Sequence, residues 1–173
     1  MSDAQQAENP QNECWNKLYA EVNAWRGECM HHIAAAEKAV TETLLALDAA
    51  KPEGAKVQLR HLIGQRLDDL AVAIGAEGPF EEAGKAASKS LEKWREHEAF
   101  RASLCHGVVQ VTMTRGGGWL LAIRNLTIRA RQAETQVVVI EKAEAEAKLK
   151  QLAGDGQKLA SVLGQLRQKV KKG

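Results

Sequence analysis

Apolar residues recur every three or four positions over most of the chain, which is the spacing of one face of an α-helix. This spacing covers residues 12–50, 55–74, 80–105 and 141–171. The four runs predict four helices, or five if Gly27 divides the first run into two. The chain is therefore predicted to be mainly α-helical.

From residue 108 the period of the pattern changes from 3.6 to 2. Within 108–115, Val109, Val111 and Met113 alternate with polar residues, and the three glycines Gly116–Gly118 follow. This arrangement is typical of a half-buried strand that ends in a hairpin turn. A return strand over 119–131 and a short third strand over 136–140 complete the pattern. We expect a small antiparallel β-hairpin or three-stranded meander before the C-terminal helix.

The length of 173 residues favours one domain, over 12–173, after a polar tail at 1–11 that we expect to be disordered. The hydrophobic content of 45% and charged content of 27% are ordinary for a globular protein. The three cysteines form no CxxC pair, which favours reduced thiols. We see neither a signal peptide nor an apolar run of about 20 residues. A cytoplasmic location without membrane contact is therefore expected.

The apolar stripe of the third predicted helix is interrupted by ionisable residues. Burying a charged group is costly unless the group is paired or used, so this interruption marks a candidate site. A surface ion pair between Glu98 and Arg101 and a cation at the helix end are the simpler alternatives. Along this face the order is Ala87, Leu91, Trp94, His97, Glu98, Arg101 and Leu104, with His106 at the predicted end.

The chain contains no acidic residue between Glu98 and Glu134. Guanidinium groups match phosphate oxygens in two-point contacts, so this stretch favours contact with RNA or a nucleotide. The alternative is that strand arginines only keep the sheet soluble and protect its edge. The cationic residues of the stretch are Arg101, His106, Arg115, Arg124, Arg129 and Arg131.

The sequence from Arg101 to Gly107 is Arg, four residues, His and Gly. In this motif, and in its helix order, the chain resembles the HEPN superfamily (higher eukaryotes and prokaryotes nucleotide-binding). That resemblance implies a HEPN-like helical bundle and a metal-independent endoribonuclease of toxin–antitoxin or phage-defence type, without a cofactor. It also implies a homodimer, with an antitoxin protein as a candidate partner.

On one straight helix, Arg101 and His106 point roughly 140° apart and cannot bind the same phosphate. Either the helix ends before His106, or two copies of the motif face each other across a two-fold axis. In the dimer, one His106 would accept the 2′-OH proton and the other would protonate the leaving oxygen. Arg101 would stabilise the transition-state charge, with His97 and Glu98 orienting the pair.

One position departs from the family pattern. Active RNases of the family commonly carry a polar residue, often Asn, directly after the arginine, and this chain has Ala102. The departure favours an alternative function, a non-catalytic dimeric module that binds RNA, a nucleotide or a protein partner. A purely structural helical protein, in which Arg101 and His106 only pair and cap, is the third hypothesis.

Overall fold

The computed structural model describes residues 10–171. The tail that we expected to be disordered lies outside the described residues except for Pro10 and Gln11, which begin the first helix.

The prediction of a mainly helical chain with a small antiparallel sheet is confirmed. The described residues form five helices and three strands. Their order is α1 (Pro10–Ala50), α2 (Ile63–Ile74), α3 (Glu81–Arg95), α4 (Glu98–His106), β1 (Val108–Met113), β2 (Trp119–Arg129), β3 (Gln132–Glu141) and α5 (Lys142–Val170).

Two of the helices had sequence features that left their continuity open, and the structure resolves both. Helix α1 runs through Gly27 without a break, so the first apolar run is one helix. Helix α5 likewise continues through Gly154 and Gly156, as its unbroken apolar phase predicted. In these two helices, continuous phase was therefore a better guide than the presence of glycine.

The helix predicted over 55–74 was wrong in its first half, because α2 begins only at Ile63. The preceding chain is held in an irregular path by Arg60. Its backbone N–H donates to Asp69 Oδ2 at 3.1 Å, and its Nε donates to Asp69 Oδ1 at 2.7 Å. Leu59, taken as part of the apolar stripe, is 47% exposed. The buried Asp69 carboxylate, rather than a helical ladder, organises this segment.

The single helix predicted over 80–105 was also wrong, because α3 ends at Arg95 and α4 begins at Glu98. At the break, the His97 N–H donates to the Trp94 carbonyl at 3.0 Å, a tighter turn than the α-helical ladder. The His97 imidazole is buried, with Nε2 lying 2.8 Å from Asp155 Oδ2. The break therefore coincides with a buried polar side chain, His97, that is hydrogen-bonded to Asp155.

The chain divides into two compact units. Among the described residues, the first contains 10–28 and 103–149, and the second contains 29–102 and 150–171. Helices α1, α4 and α5 contribute residues to both units. The single domain expected over 12–173 stays a prediction.

The first unit is built on an antiparallel sheet with strand order β1-β2-β3. One face of the sheet is buried against helical residues. On this face the ring centroids of Trp25 and Trp119 lie 6.0 Å apart. Trp25 Nε1 donates to the Ala145 carbonyl at 2.8 Å. The apolar core of this unit consists of Leu18, Val22, Trp25, Leu104, Val111, Trp119, Leu121, Ile123, Ile140 and Ala145.

The second unit is helical and has its own apolar core. A polar contact lies beside this core, where Arg167 Nη1 donates to Thr43 Oγ1 at 2.8 Å. Within the unit, Trp94 packs close to Gly156, where an added Cβ would lie 3.1 Å from the indole. The largest fully buried side chains here are Ile33, Leu44, Leu47, Leu70, Ile74, Leu91, Leu152, Leu159 and Leu163.

Strands β2 and β3 are joined by a two-residue turn formed by Ala130 and Arg131. Both residues have positive φ, 47° and 66°, as a type I′ hairpin turn requires. Glycine and asparagine are the residues that usually adopt this conformation, since a Cβ makes it costly. This turn is therefore a strained point of the sheet, at the end of a segment of β2 that pairs only with β3.

We expect Arg131→Gly to raise the free energy of unfolding by about 0.5–1 kcal/mol, because glycine tolerates positive φ. Urea denaturation measures this change. Arg115→Gly is the matched control, since it removes the same charge from an exposed turn at a residue without positive φ. An equal gain in both variants would show that charge, not backbone conformation, is responsible.

Candidate functional site

Helix α4 ends at His106, whose side chain is exposed. The Gly107 N–H donates to the Ser103 carbonyl at 2.8 Å and continues the helical bonding by one residue. Arg26 Nη2 donates to the Leu104 carbonyl at 3.3 Å, which places a cation at the negative end of the helix dipole. Because α4 includes His106, the alternative in which the helix stops before this histidine was wrong.

Gly107 is the point where α4 lies directly against strand β2. A Cβ added there would lie 2.7 Å from Asn125 Oδ1 and closer still to Ile123 Cγ2 and the Ser103 carbonyl oxygen. No side chain fits in that space. The glycine that follows the histidine in the motif therefore has a packing reason independent of any catalytic one.

Asn125 connects the sheet to the helix end. Its Nδ2 donates to Ser103 Oγ at 2.9 Å. Its Oδ1 is buried and makes no hydrogen bond to the described residues. An unsatisfied buried acceptor is uncommon, and this one lies beside Gly107, the neighbour of His106. Sequence reasoning missed Arg26, Ser103 and Asn125, because their link to the motif depends on how β2 packs.

Arg101 belongs to the second unit, whereas His106 belongs to the first, and each is described in its own unit. Arg101 Nε donates to Glu37 Oε1 at 2.5 Å, and both side chains are partly buried. The candidate catalytic guanidinium thus already has a carboxylate partner. Glu37 lies 64 positions away in the chain, so no local pattern pointed to it.

His97 and Glu98, which we expected to orient the motif, have other partners. His97 binds Asp155 and lies against Trp94, with ring centroids 5.4 Å apart. Glu98 accepts a hydrogen bond from Arg95 Nε at 2.9 Å, so the simple Glu98–Arg101 surface pair was wrong.

One residue of this cluster, Arg95, has a shifted pKa. Arg95 also binds Asp68, and its hydrogen bond to that carboxylate, followed by the nearby charge of Glu98, raises the pKa of Arg95. Glu98 is thus part of an ionic network with Arg95 and Asp68 within the second unit.

The four arginines predicted to bind nucleic acid all belong to the first unit. Arg115 is exposed in the turn between β1 and β2, and Arg131 is exposed in the strained turn. Arg124 is exposed on the outer sheet face, level with Val108 and Val137. Arg129 pairs through β2 with Gln132. The exposed guanidinium groups and the exposed His106 imidazole thus belong to the same unit.

The same unit has a pocket of about 290 Å³ whose lining is negatively charged, unlike the exposed arginines. Its lining includes Glu21, Glu28 and Glu146 beside the two packed tryptophans. Lys142 Nζ lies 2.9 Å from Glu21 Oε2, and this hydrogen bond lowers the pKa of Glu21. Phosphate groups are repelled by such a lining, so the pocket is not a site for a nucleic-acid backbone.

Residues 10–171 contain no group of three or more His, Cys, Asp or Glu side chains placed to hold a metal ion. Among these same residues, no helix is long and apolar enough to cross a membrane. Cys14, Cys29 and Cys105 are not joined by disulfide bonds.

No protein-family model matches the chain, and neither a curated protein nor a solved structure is significantly similar to it. The resemblance to the HEPN superfamily therefore rests on the motif and the helix order alone and stays a prediction.

We expect Gly107→Ala to lower the free energy of unfolding by about 1–3 kcal/mol, because its Cβ must displace Ile123 or the helix end. Gly27→Ala is the matched control, since nothing lies within 4 Å of its added Cβ. That change in a helix interior is expected to stabilise the protein by about 0.5–1 kcal/mol. Thermal and urea unfolding measure both; a neutral Gly107→Ala would contradict the packing described.

Proposed function

We propose that the protein is a HEPN-like, metal-independent endoribonuclease that acts as a homodimer, of the toxin–antitoxin or phage-defence type. The observation that carries the proposal is the exposed imidazole of His106 at the end of α4, in the same unit as the exposed arginines. A cognate antitoxin protein is the partner that this type of enzyme implies.

The chemistry needs a proton acceptor, a proton donor and a cation near the scissile phosphate. An exposed histidine serves as acceptor or donor near neutral pH. Arginines bind phosphate oxygens through two parallel hydrogen bonds and stabilise the charge that develops in the transition state. Two copies of His106 in a dimer supply both proton-transfer roles.

A second candidate function, RNA binding without cleavage, is favoured by two observations on Arg101. Its guanidinium is engaged by Glu37, and Ala102 stands where active relatives of the proposed family commonly carry a polar residue. In this reading the arginines of the first unit hold RNA, and His106 contributes only a contact. The same protein preparation distinguishes the two candidates, since only the first shortens the RNA.

We expect His106→Ala to abolish cleavage of a labelled RNA in the presence of EDTA, since the proton-transfer group is lost. Its melting temperature is expected to stay within a few degrees of wild type, because an exposed helix-end group contributes about 1 kcal/mol. His61→Ala, which removes another exposed histidine, is the matched control and is expected to retain full activity. Gel analysis of the RNA and a thermal melt supply both measurements.

Cleavage that survives His106→Ala would show that the imidazole is not the catalytic group. RNA binding by a wild type that never shortens the RNA would establish the second candidate instead.

The ion pair between Arg101 and Glu37 provides a separate test. Glu37→Gln releases the guanidinium, so we expect RNA affinity to rise several-fold with a steeper dependence on salt. Arg101→Ala is expected to lower affinity and to flatten that dependence. Glu92→Gln is the matched control, since it removes an exposed carboxylate of α3 in the same unit, one that forms no ion pair with the described residues. Equal gains in Glu37→Gln and Glu92→Gln would reduce the effect to net charge.

A further inference from the structure

A groove of about 240 Å³ lies between helices α3 and α5 within the second unit. Its α3 side is a single helix face, because the lining residues stand at positions i, i+3, i+4 and i+7. These residues are Ala86, Lys89, Ser90 and Lys93. Helix α5 contributes Asp155, Lys158 and Val162. We call this site the lysine groove, since its three lysines outnumber its one carboxylate.

The positive charge of the lysine groove is only partly neutralised. Lys93 donates a hydrogen bond to Glu96, and this bond raises the pKa of Lys93. Asp155 Oδ2 lies 2.8 Å from Nε2 of the buried histidine at the break between α3 and α4. Lys89 and Lys158 are exposed, and neither forms an ion pair with another residue of the part of the chain that the structure describes. Two ammonium groups of the groove are therefore available to an anion.

The lysine groove also contains a hydroxyl without a partner. Ser90 is only 5% exposed and lines the groove, yet its Oγ makes no hydrogen bond within residues 10–171. Hydroxyls inside a helix often donate to the carbonyl four residues back, as those of Thr41 and Thr43 in α1 do. Buried polar groups usually have a partner. Because Ser90 lacks one and faces the groove, its hydroxyl indicates a ligand with an acceptor oxygen.

We propose that the lysine groove binds the phosphate of a small phosphomonoester. Such a phosphate has three terminal oxygens and nearly two negative charges at neutral pH. These oxygens and charges match two ammonium groups and one hydroxyl donor, and lysine binds phosphate as a compact point charge. A phosphodiester has one charge and two terminal oxygens, so it leaves one of the three donors unpaired.

The rest of the lining sets the size of the organic part of the ligand. Ala86 and Val162 are apolar and suit its carbon atoms. Pockets for drug-sized ligands have volumes of about 300–1,000 Å³. A groove of about 240 Å³ is smaller and fits a group such as a sugar. The site is independent of the proposed RNA cleavage, because none of its residues takes part in that reaction.

Isothermal titration calorimetry of the full chain with ribose 5-phosphate tests the site. We expect saturable binding of ribose 5-phosphate and no binding of ribose, which lacks the phosphate. Lys89→Gln/Lys158→Gln is expected to weaken the affinity about tenfold or more, because hydrogen bonds to charged groups are the stronger ones. Lys150→Gln/Lys169→Gln is the matched control, since it removes the same charge from exposed positions of α5 outside the groove. Absence of binding by the wild type, or an equal loss in both double variants, would overturn the proposal.

The hydroxyl is tested separately by Ser90→Ala. We expect the affinity for ribose 5-phosphate to fall several-fold while the melting temperature stays the same or rises slightly, because alanine is the better helix former. Ser161→Ala, at an exposed position of α5 outside the groove, is the matched control and is expected to leave the affinity unchanged. An unchanged affinity in Ser90→Ala would overturn the match of three donors to three phosphate oxygens.

Two sources supply this chemistry, a free sugar phosphate and the 5′-terminal phosphate of a nucleic acid. Oligodeoxynucleotides with and without a 5′-phosphate distinguish them, since they lack the 2′-OH that the proposed cleavage needs. Displacement of ribose 5-phosphate by the phosphorylated strand alone would support the proposal with a nucleic-acid end as the ligand. Displacement by neither strand would support it with a free phosphomonoester. Displacement by both strands would show that phosphodiesters bind in the groove and would overturn the proposal.

Discussion

The contact of helix α4 with strand β2 at Gly107 is the constraint on which the first unit depends. Because residue 107 has no side chain, the helix end lies directly against Ile123 and Asn125. The chain then enters β1 at the next residue, with Val108 opposite Arg124. The pairing then continues across the sheet, with Leu121 of β2 opposite both Val111 of β1 and Ile140 of β3. The contact at Gly107 also leaves His106 outside the packing and exposed to solvent.

The second unit depends on a different constraint, which is how polar groups are accommodated along an apolar helix face. His97 occupies a core position and binds Asp155 of α5. Arg101 is only partly buried and binds Glu37 of α1. Each pairing joins segments that are far apart in sequence, so these groups contribute to which segments are neighbours as well as to any chemistry. Buried polar groups of this kind are costly alone and acceptable when satisfied.

The sequence predicted those elements whose evidence lies within a short window. The alternating residues of β1, the glycine run before Trp119 and the unbroken phase of α5 are all local, and the structure has each of them. The errors occurred where a distant partner decides the local path. Asp69 holds the chain before α2 out of a helix, and the break before α4 coincides with the pairing of His97 and Asp155. The motif itself was visible, but Glu37 and Asn125, which determine its surroundings, were not.

The distribution of tryptophan between the two units gives the protein built-in optical reporters. Of its four tryptophans, Trp15, Trp25 and Trp119 belong to the first unit and Trp94 alone belongs to the second. Trp94 is buried against Gly156 and the imidazole of His97. Coincident transitions from different probes are the criterion for two-state unfolding. Indole emission recorded with and without Trp94 can therefore show, without any added dye, whether the two units lose their structure in one step or in two.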